Sequence, residues 1–297
     1  MQYSEDFGFL EYPKLLEFEG GKIVPFADFT ERYAALKKCI NKDGFYYPPQ
    51  IKEVRLDPKT LEPKSTLPHS QKPASVFRLP PSHKLYINDL SAENDRTDAA
   101  LIIYLLGFFF RTRLQFCDLR FDGKVPLKGI KSFIYRDDVL SDFVSHTYRV
   151  WKLWSSDQRR RFINIVYMHC KARSCEWDWD AFIYRYMVFD AIYKFHTELG
   201  NPKINNHISR LVGLCEHYSI RFEMSVLTKI YKLRNELFHE ALWDDSTPGY
   251  KGGEAYLNAI WLDKLTSRLI VCITGYKNEY SKSGWWAFGW EKFDKSK

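Results

Sequence analysis

The stretch MSVLTKIYKLRNELFHEALW, residues 224–243, predicts an amphipathic helix over 223–242. The apolar stripe that we expect to face a core recurs every three or four residues and consists of Val226, Ile230, Leu233, Leu237 and Ala241. At about 100° per residue, Asn235 and His239 fall on the face opposite this stripe, and Arg234 falls on its flank. The helix therefore combines one face for packing with one polar face for a substrate or a partner.

The segments on both sides of this helix are helical by the same period, from about Asp137 onwards. Ser155-Ser156-Asp157 predicts the cap of one helix, and Gly200 stands at the C′ position of another. The predicted helices of this half cover 138–154, 155–171, 178–199, 207–218, 223–242 and 254–276. The aromatic tail 284–293 is expected to pack on this bundle rather than to stack on bases.

The first half predicts a different architecture, because prolines at 48, 49, 58, 63, 68, 73, 80 and 81 interrupt any long helix there. Period and turn signals predict helices over 26–40 and 98–112 and strands over 84–90 and 114–121. Thr97 or Asp98 would cap the second helix, and Asp122-Gly123 would close the second strand. The predicted fold is therefore α+β, with a mixed α/β domain over 1–135 and an all-α helical bundle over 136–297.

The longest apolar run, residues 99–110, predicts a buried helix, because a membrane span needs about 20 residues. The N-terminus has no basic patch before an apolar stretch, so we expect no secretory signal and a cytoplasmic location. The six cysteines are expected to be reduced and mostly buried. His169, Cys170 and Cys175 lack a second Cys/His pair at a usual zinc spacing, so no metal is expected.

The formal net charge of +7 is distributed unevenly along the chain. Residues 146–297 hold 23 Lys and Arg against 17 Asp and Glu, whereas residues 1–145 hold 21 against 20. This excess suits a polyanionic partner for the second half. A solvated basic surface explains the charge equally well.

The pattern Arg234-Asn235-x-x-x-His239 resembles the signature of HEPN domains, which is Arg, a polar residue, three variable residues and His. Two looser Arg…His pairs fit less well, because Pro80-Pro81 interrupts Arg78…His83 and Leu211 follows the arginine of Arg210…His217. HEPN domains are helical bundles, often dimeric, and many are metal-independent ribonucleases. The resemblance covers roughly residues 140–280. A variable N-terminal domain before such a bundle resembles the ApeA-like group of antiphage HEPN proteins.

The resemblance implies an active site of Arg234, Asn235 and His239 that cleaves RNA, with the 2′-hydroxyl as nucleophile and no cofactor. His239 would transfer a proton, Arg234 would bind the phosphate as charge develops, and Asn235 would hold a phosphate oxygen or orient His239. It also implies a homodimer whose two motifs line one cleft, because a single histidine cannot easily serve as both acid and base. The implied setting is a toxin or abortive infection, with RNA such as tRNA as substrate and a phage-derived trigger or an antitoxin as partner.

Asp190 lies on the preceding long helix, where HEPN domains often carry an acidic or polar residue, and it would pair with Arg234 and pre-position it. Each role has an ordinary alternative. Asp190 would simply face solvent, Arg234 would form a structural ion pair with Glu236 or Asp190, and Asn235 and His239 would be plain surface residues. His196, on the same helix as Asp190, is expected at the surface.

Two functions other than cleavage stay open at this point. A non-catalytic HEPN module would bind nucleotide, nucleic acid or a partner protein, although such a module need not keep all three motif residues. A purely structural helical adaptor predicts no salt-dependent affinity for nucleic acid. P-loop, Ser-His-Asp elbow and paired zinc-ligand signatures are absent from the sequence, so other common enzyme classes have little support.

Overall fold

Helices dominate the second half of the chain, as the apolar period predicts. The computed structural model describes residues 3–52, 57–60, 62, 71–88, 95–127, 133–244, 254–287 and 291–295. The α-helices of these ranges are α1 (Phe29–Lys37), α2 (Asp95–Phe109), α3 (Asp137–Leu153), α4 (Ser156–Ala172), α5 (Asp178–Glu198), α6 (His207–His217), α7 (Met224–Asn235) and α8 (Glu254–Ile273). A π-helical turn covers Glu236–Glu240, and a 3₁₀ helix covers Glu279–Lys282. The fold is α+β, as expected.

The strands lie mainly in the first half of the chain and are short. They are β1 (Tyr3–Gly8), β2 (Leu16–Phe18), β3 (Gly21–Pro25), β4 (Phe45–Tyr46), β5 (Gln50–Lys52), β6 (Gln71–Pro73), β7 (Val76–Phe77), β8 (His83–Ile87), β9 (Gln115–Phe116), β10 (Phe121–Asp122), β11 (Val125–Pro126), β12 (Phe133–Ile134) and β13 (Glu291–Lys292). The main sheet is antiparallel with the order β2-β3-β8-β1-β9, and Ile87 lies opposite both Tyr3 and Gly21. His83, Leu85 and Ile87 are buried, which gives β8 the two-residue period of a strand with one face on a core.

Helix α2 lies at the centre of the core. Its residues from Ala99 to Phe109 are all buried, so the apolar run forms the predicted buried helix. One hydrophobic cluster joins α2 to the main sheet and to the bundle, from Phe7 of β1 to Trp285 near the C-terminus. Within the ranges that the structure describes, no helix is long and apolar enough to cross a membrane. The division at residue 135 stays a prediction.

Several elements of the first half depart from the expectation. Helix α2 begins at Asp95, so Asp98 is not its cap but a buried residue that accepts hydrogen bonds from Tyr148 Oη at 2.8 Å and Trp151 Nε1 at 3.3 Å. The strand predicted over 114–121 is divided by a turn, in which Leu119 N donates to Phe116 O, into β9 and β10 of different sheets. The predicted elements 26–40 and 84–90 are confirmed as α1 and β8, although 89–90 lie outside the described residues.

The bundle follows the sequence more closely. Ser155 caps α4 through a capping box with Gln158, and Gly200 has a φ of 90° directly after α5. Trp285 and Phe293 are buried, so the described part of the aromatic tail packs on the protein as expected. The expectation for His196 was wrong: its side chain is buried because the rings of His217 and Tyr218 cover it, and its Nδ1 lies 3.1 Å from Tyr218 Oη.

A cluster of charged side chains, which we call the buried cluster, lies inside the bundle around Asp263 of α8. Its members are Asp263, Arg111, Arg173, Arg185 and His169. The carboxylate oxygens lie 2.8 Å from Arg111 Nη2, 3.5 Å from Arg173 Nη2 and 3.4 Å from Arg185 Nε. These cations hold the pKa of Asp263 well below its usual range, although burial opposes them. His169, which the sequence placed near Cys170 and Cys175, thus packs among charges.

The cysteines differ in exposure, although all six are free. Cys170 and Cys215 are buried, Cys39 is exposed, and Cys117, Cys175 and Cys272 are partly buried, so fewer are buried than expected. Burial raises the pKa of the Cys170 and Cys215 thiols to about 12, which leaves them protonated and unreactive. Among the described residues, no three His, Cys, Asp or Glu side chains are placed to hold a metal ion.

Candidate active site

The helix that carries the motif changes its geometry at the motif. Helix α7 ends at Asn235, and the chain continues as a π-helical turn in which Ala241 N donates to Glu236 O, five residues earlier. Ala241 itself is left-handed, with a φ of 56°, and closes the turn. Such turns hold one residue more than an α-helical turn and are frequent at functional sites. Residues five apart are therefore brought onto one face.

The π-helical turn brings the three predicted residues together. On a regular α-helix, Arg234 and His239 would lie about 140° apart. In the structure, Arg234 Nη1 donates to His239 Nε2 at 2.9 Å and to Asn235 Oδ1 at 3.0 Å. His239 is exposed, whereas Arg234 and Asn235 are half-buried. The motif residues thus form one contiguous polar group at the surface.

The contact between Arg234 and His239 fixes the protonation of the imidazole. A guanidinium has only donors, so His239 Nε2 must accept and its proton must lie on Nδ1. His239 Nε2 is thus held by a cation, and a guanidinium also binds anions such as phosphate. An anion that binds Arg234 would therefore compete for the same donor and release His239.

An aromatic surface supports the arginine. Arg234 Cζ lies 5.2 Å from the ring centroid of Phe238 and 5.8 Å from that of Tyr186, and the two rings lie 6.2 Å apart. Cation–π contacts of this kind hold the guanidinium plane in place. Phe238 is 46% exposed, so a large apolar ring borders the site at the surface. Trp243, by contrast, is buried against Phe182 at 5.7 Å and belongs to the core.

The apolar stripe predicted for this helix is only partly confirmed. Val226, Ile230 and Leu233 are buried, and Leu237 is partly buried. Ala241 is exposed, contrary to the prediction, because the π-helical turn rotates it away from the core. The π-helical turn therefore changes the direction of both the last apolar residue of the stripe and the polar residues of the motif.

Asp190 has a different partner from the predicted one. Its Oδ1 lies 3.7 Å from Nδ1 of His207, the first residue of α6. Burial raises the pKa of Asp190, while the charges of His207, Arg210 and Arg234 act in the opposite direction. The carboxylate is half-buried, so it neither points fully into solvent nor forms the predicted pair with Arg234. Its influence on Arg234 is electrostatic.

Arg234 also does not form the structural ion pair with Glu236 that was the alternative to a functional role. Glu236 pairs with Lys232, whose Nζ lies 3.1 Å from its carboxylate. The Nε of Arg234 is buried without a hydrogen-bond partner among the described residues. Because Nε is buried, an incoming acceptor would meet this arginine at Nη1, where it contacts Asn235 and the exposed His239.

His207 is the residue that sequence reasoning missed. Its ring lies 5.9 Å from the ring of Tyr186, which in turn contacts Arg234. Nothing in the local sequence marks it, because it lies 27 residues before Arg234 on another helix. The N-cap signal of Asn206, whose side chain accepts from Ser209 N at 2.8 Å, does place His207 at the start of α6.

The comparisons with known proteins leave this site to be judged from its own geometry. No protein-family model matches the chain, and neither a curated protein nor a solved structure matches it.

Proposed function

We propose that this protein is a metal-independent endoribonuclease of the HEPN type whose active site is formed by Arg234, Asn235 and His239. The observation that carries the proposal is the 2.9 Å contact between Arg234 Nη1 and His239 Nε2 on an exposed π-helical turn. An arginine that can bind phosphate and a histidine that can transfer a proton lie side by side there. The site is an open surface rather than an enclosed cavity, which suits a polymeric substrate.

The proposed reaction begins when a phosphate of RNA takes the donors of Arg234. The guanidinium then neutralises the charge that develops on phosphorus, and it stays protonated throughout. Release of Nε2 frees His239 to exchange a proton with the substrate, a step worth typically about 10²–10⁴-fold in rate. Asn235, held by Arg234 at 3.0 Å, binds a phosphate oxygen once the arginine turns toward the substrate.

The proposal includes the biological setting. The net charge of +6 in residues 146–297 favours a polyanion such as tRNA as substrate. We propose a homodimer formed through the bundle, a cytoplasmic toxin or abortive-infection role against phage, and a phage-derived trigger or antitoxin that acts through residues 1–135.

The test is cleavage of total RNA and of a tRNA pool in excess EDTA. Wild type is compared with His239→Ala, Arg234→Ala and the control His217→Ala, which removes an exposed histidine at the far end of α6. We expect cleavage by wild type and the control, 2′,3′-cyclic phosphate ends on the fragments, and loss of cleavage in the two motif variants. Cleavage that persists in His239→Ala, or that EDTA abolishes, would overturn the proposal.

One observation favours a second candidate, a module that binds RNA without cleaving it. His239 Nε2 is occupied by Arg234, so the resting site holds no free base nitrogen at this histidine. RNA binding without cleavage, weakened by Arg234→Ala, would support this candidate. RNA binding that neither motif variant changes would place the binding surface elsewhere.

A further inference from the structure

A second imidazole lies beside the motif on the same chain. His207 begins α6, and Tyr186 of α5 lies between it and Arg234, with ring distances of 5.9 Å to His207 and 5.8 Å to the guanidinium. The His207 side chain is 26% exposed, so a substrate on this surface can reach it. The site of one chain thus holds two histidines.

The surroundings of His207 favour one tautomer. Two oxygens face its Nδ1: Tyr186 Oη at 3.3 Å and Asp190 Oδ1 at 3.7 Å. A carboxylate can only accept, so its charge at 3.7 Å favours a proton on Nδ1, which then donates to Tyr186 Oη, while Asp190 Oδ1 itself has no hydrogen bond within the described residues. Nε2 of His207 is then an unprotonated nitrogen that is free to accept a proton. A general base is usually oriented by a third group, and here Asp190 acts on the imidazole through its charge rather than through a hydrogen bond.

The surroundings of His207 lower its pKa, which favours the neutral imidazole. Burial lowers its pKa, and Arg234, Arg210 and His239 lower it further, whereas Asp190 acts in the opposite direction. The groups that face it are Asp190 and Tyr186 on α5, Arg210 on α6, and Arg234 and His239 on α7 and the π-helical turn. Tyr186 and Arg234 connect the two histidines in space, because the Tyr186 ring contacts His207 on one side and Arg234 on the other, and Arg234 Nη1 contacts His239 Nε2.

We propose that His207 is the general base of the site and His239 its general acid, so that a single chain supplies both proton-transfer groups. This rests on the proposed ribonuclease function. His207 Nε2 takes the proton of the 2′-hydroxyl, the 2′-oxygen forms a bond to phosphorus, and the bond from phosphorus to the 5′-oxygen breaks. Once Arg234 has turned to the phosphate, His239 takes a proton from solvent at Nε2 and gives it to the leaving 5′-oxygen. The products are a 2′,3′-cyclic phosphate and a 5′-hydroxyl.

A change of the leaving group distinguishes the general base from the general acid, because only the acid acts on the leaving group. An RNA whose scissile 5′-oxygen is replaced by sulfur releases a thiolate, which needs no proton from an acid. We expect His207→Ala and His239→Ala each to lose about 10²–10⁴-fold on the oxygen substrate. The sulfur substrate should restore His239→Ala and leave His207→Ala slow. Wild-type rates in His207→Ala, or its rescue by sulfur, would overturn the assignment, and His217→Ala serves as the matched histidine control.

A mixing experiment tests whether one chain supplies both groups. When His207→Ala and His239→Ala proteins are mixed and allowed to exchange subunits, no chain carries both histidines, so we expect no recovery of cleavage. Recovery would show that the two histidines of one site come from different chains, which would overturn the single-chain arrangement.

Asp190 acts in this scheme as a positioning residue. Asp190→Asn removes the one named charge that raises the pKa of His207, so the acidic limb of the kcat/KM profile should move to lower pH and the maximal rate should fall. An unchanged profile would exclude this role.

A binding measurement keeps the inference separate from the proposed function. With a 2′-O-methyl oligonucleotide, which cannot be cleaved, we expect the imidazole NMR signals of His207 and His239 to shift while that of His217 stays in place. If His239 shifts alone, His207 is not part of the site, whether or not wild type cleaves RNA.

Discussion

Two regions of this protein bring histidine, arginine and aspartate together, and they differ in how their charges are compensated. In the buried cluster, the carboxylate of Asp263 lies within 4 Å of three guanidinium groups and a histidine, and its side chain is 2% exposed. At the motif, Asp190 Oδ1 has no hydrogen bond, His239 is exposed, and the Nε of Arg234 has no partner among the described residues. The same residue types thus form a packed scaffold in one place and an open surface in the other.

The two regions differ in whether a ligand can reach their charged groups. A buried charge must have its partners in place before any ligand arrives, because leaving it uncompensated costs several kcal/mol. A site that binds an anion needs donors whose partners can be exchanged, as the neutral imidazole of His239 can be. Accessibility, rather than the residue types, therefore points to the motif, because the buried cluster also has donors without hydrogen bonds to any described residue, at Arg173 and Arg185.

The largest expected effect is on the stability of the buried cluster. Asp263→Asn removes the charge that compensates Arg111, Arg173 and Arg185, so we expect the free energy of unfolding to fall by about 3–5 kcal/mol. Urea unfolding followed by circular dichroism measures this change. The matched control is Asp190→Asn, for which a change within about 1 kcal/mol is expected because its carboxylate is partly solvated. Equal losses in the two variants would remove the distinction between the regions.

The second effect is on activity at the motif. Arg234→Lys keeps the charge but loses the planar fork that contacts both Asn235 and His239, so the cleavage rate should fall by about 10²–10³-fold. The free energy of unfolding should change by no more than about 1 kcal/mol, because the arginine contacts the partly exposed Phe238. Single-turnover cleavage and urea unfolding of the same preparation measure the two quantities. A loss of stability that accounts for the loss of rate would assign Arg234 to the scaffold.

The bundle could be predicted from the sequence because its signals are local. Ser155 and Gly200 mark helix ends by their own chemistry, and the helical period gives the length of each helix. The first half could not be predicted as well, because strands such as β7 and β10 have two residues each and are defined by partners distant in the sequence. At the candidate site, the sequence predicts the three motif residues, and the structure brings them together, but the sequence predicts neither the π-helical turn nor the position of His207 beside Tyr186. Both depend on packing against neighbouring helices, which a helical period does not express.

The third effect is the pH dependence of the free energy of unfolding that the buried histidines His169 and His83 cause. Burial lowers the pKa of His169 well below its ordinary value, and that of His83 to about 4. Below about pH 6.5 the unfolded chain binds protons that the folded protein excludes, so stability falls as pH falls, by about 1.4 kcal/mol per pH unit for each histidine. Urea unfolding at about pH 7, 6 and 5 measures the slope. His169→Gln should reduce the slope by one histidine's contribution, and an unchanged slope would mean that His169 is protonated in the folded protein.

The smallest effect concerns the residue that closes the π-helical turn. Ala241 has a φ of 56°, a left-handed conformation that costs a residue with a Cβ roughly 1–2 kcal/mol. Glycine adopts it without that cost but loses more entropy on folding, so Ala241→Gly should stabilise the protein by up to about 1 kcal/mol. Because glycine favours the conformation that ends the turn, the contact between Arg234 and His239 should persist and cleavage should continue at the wild-type rate. Ala241→Val, which opposes a positive φ, is the matched control and should lower both stability and cleavage. If Ala241→Val retained full cleavage, the π-helical turn would not be what holds the motif residues together.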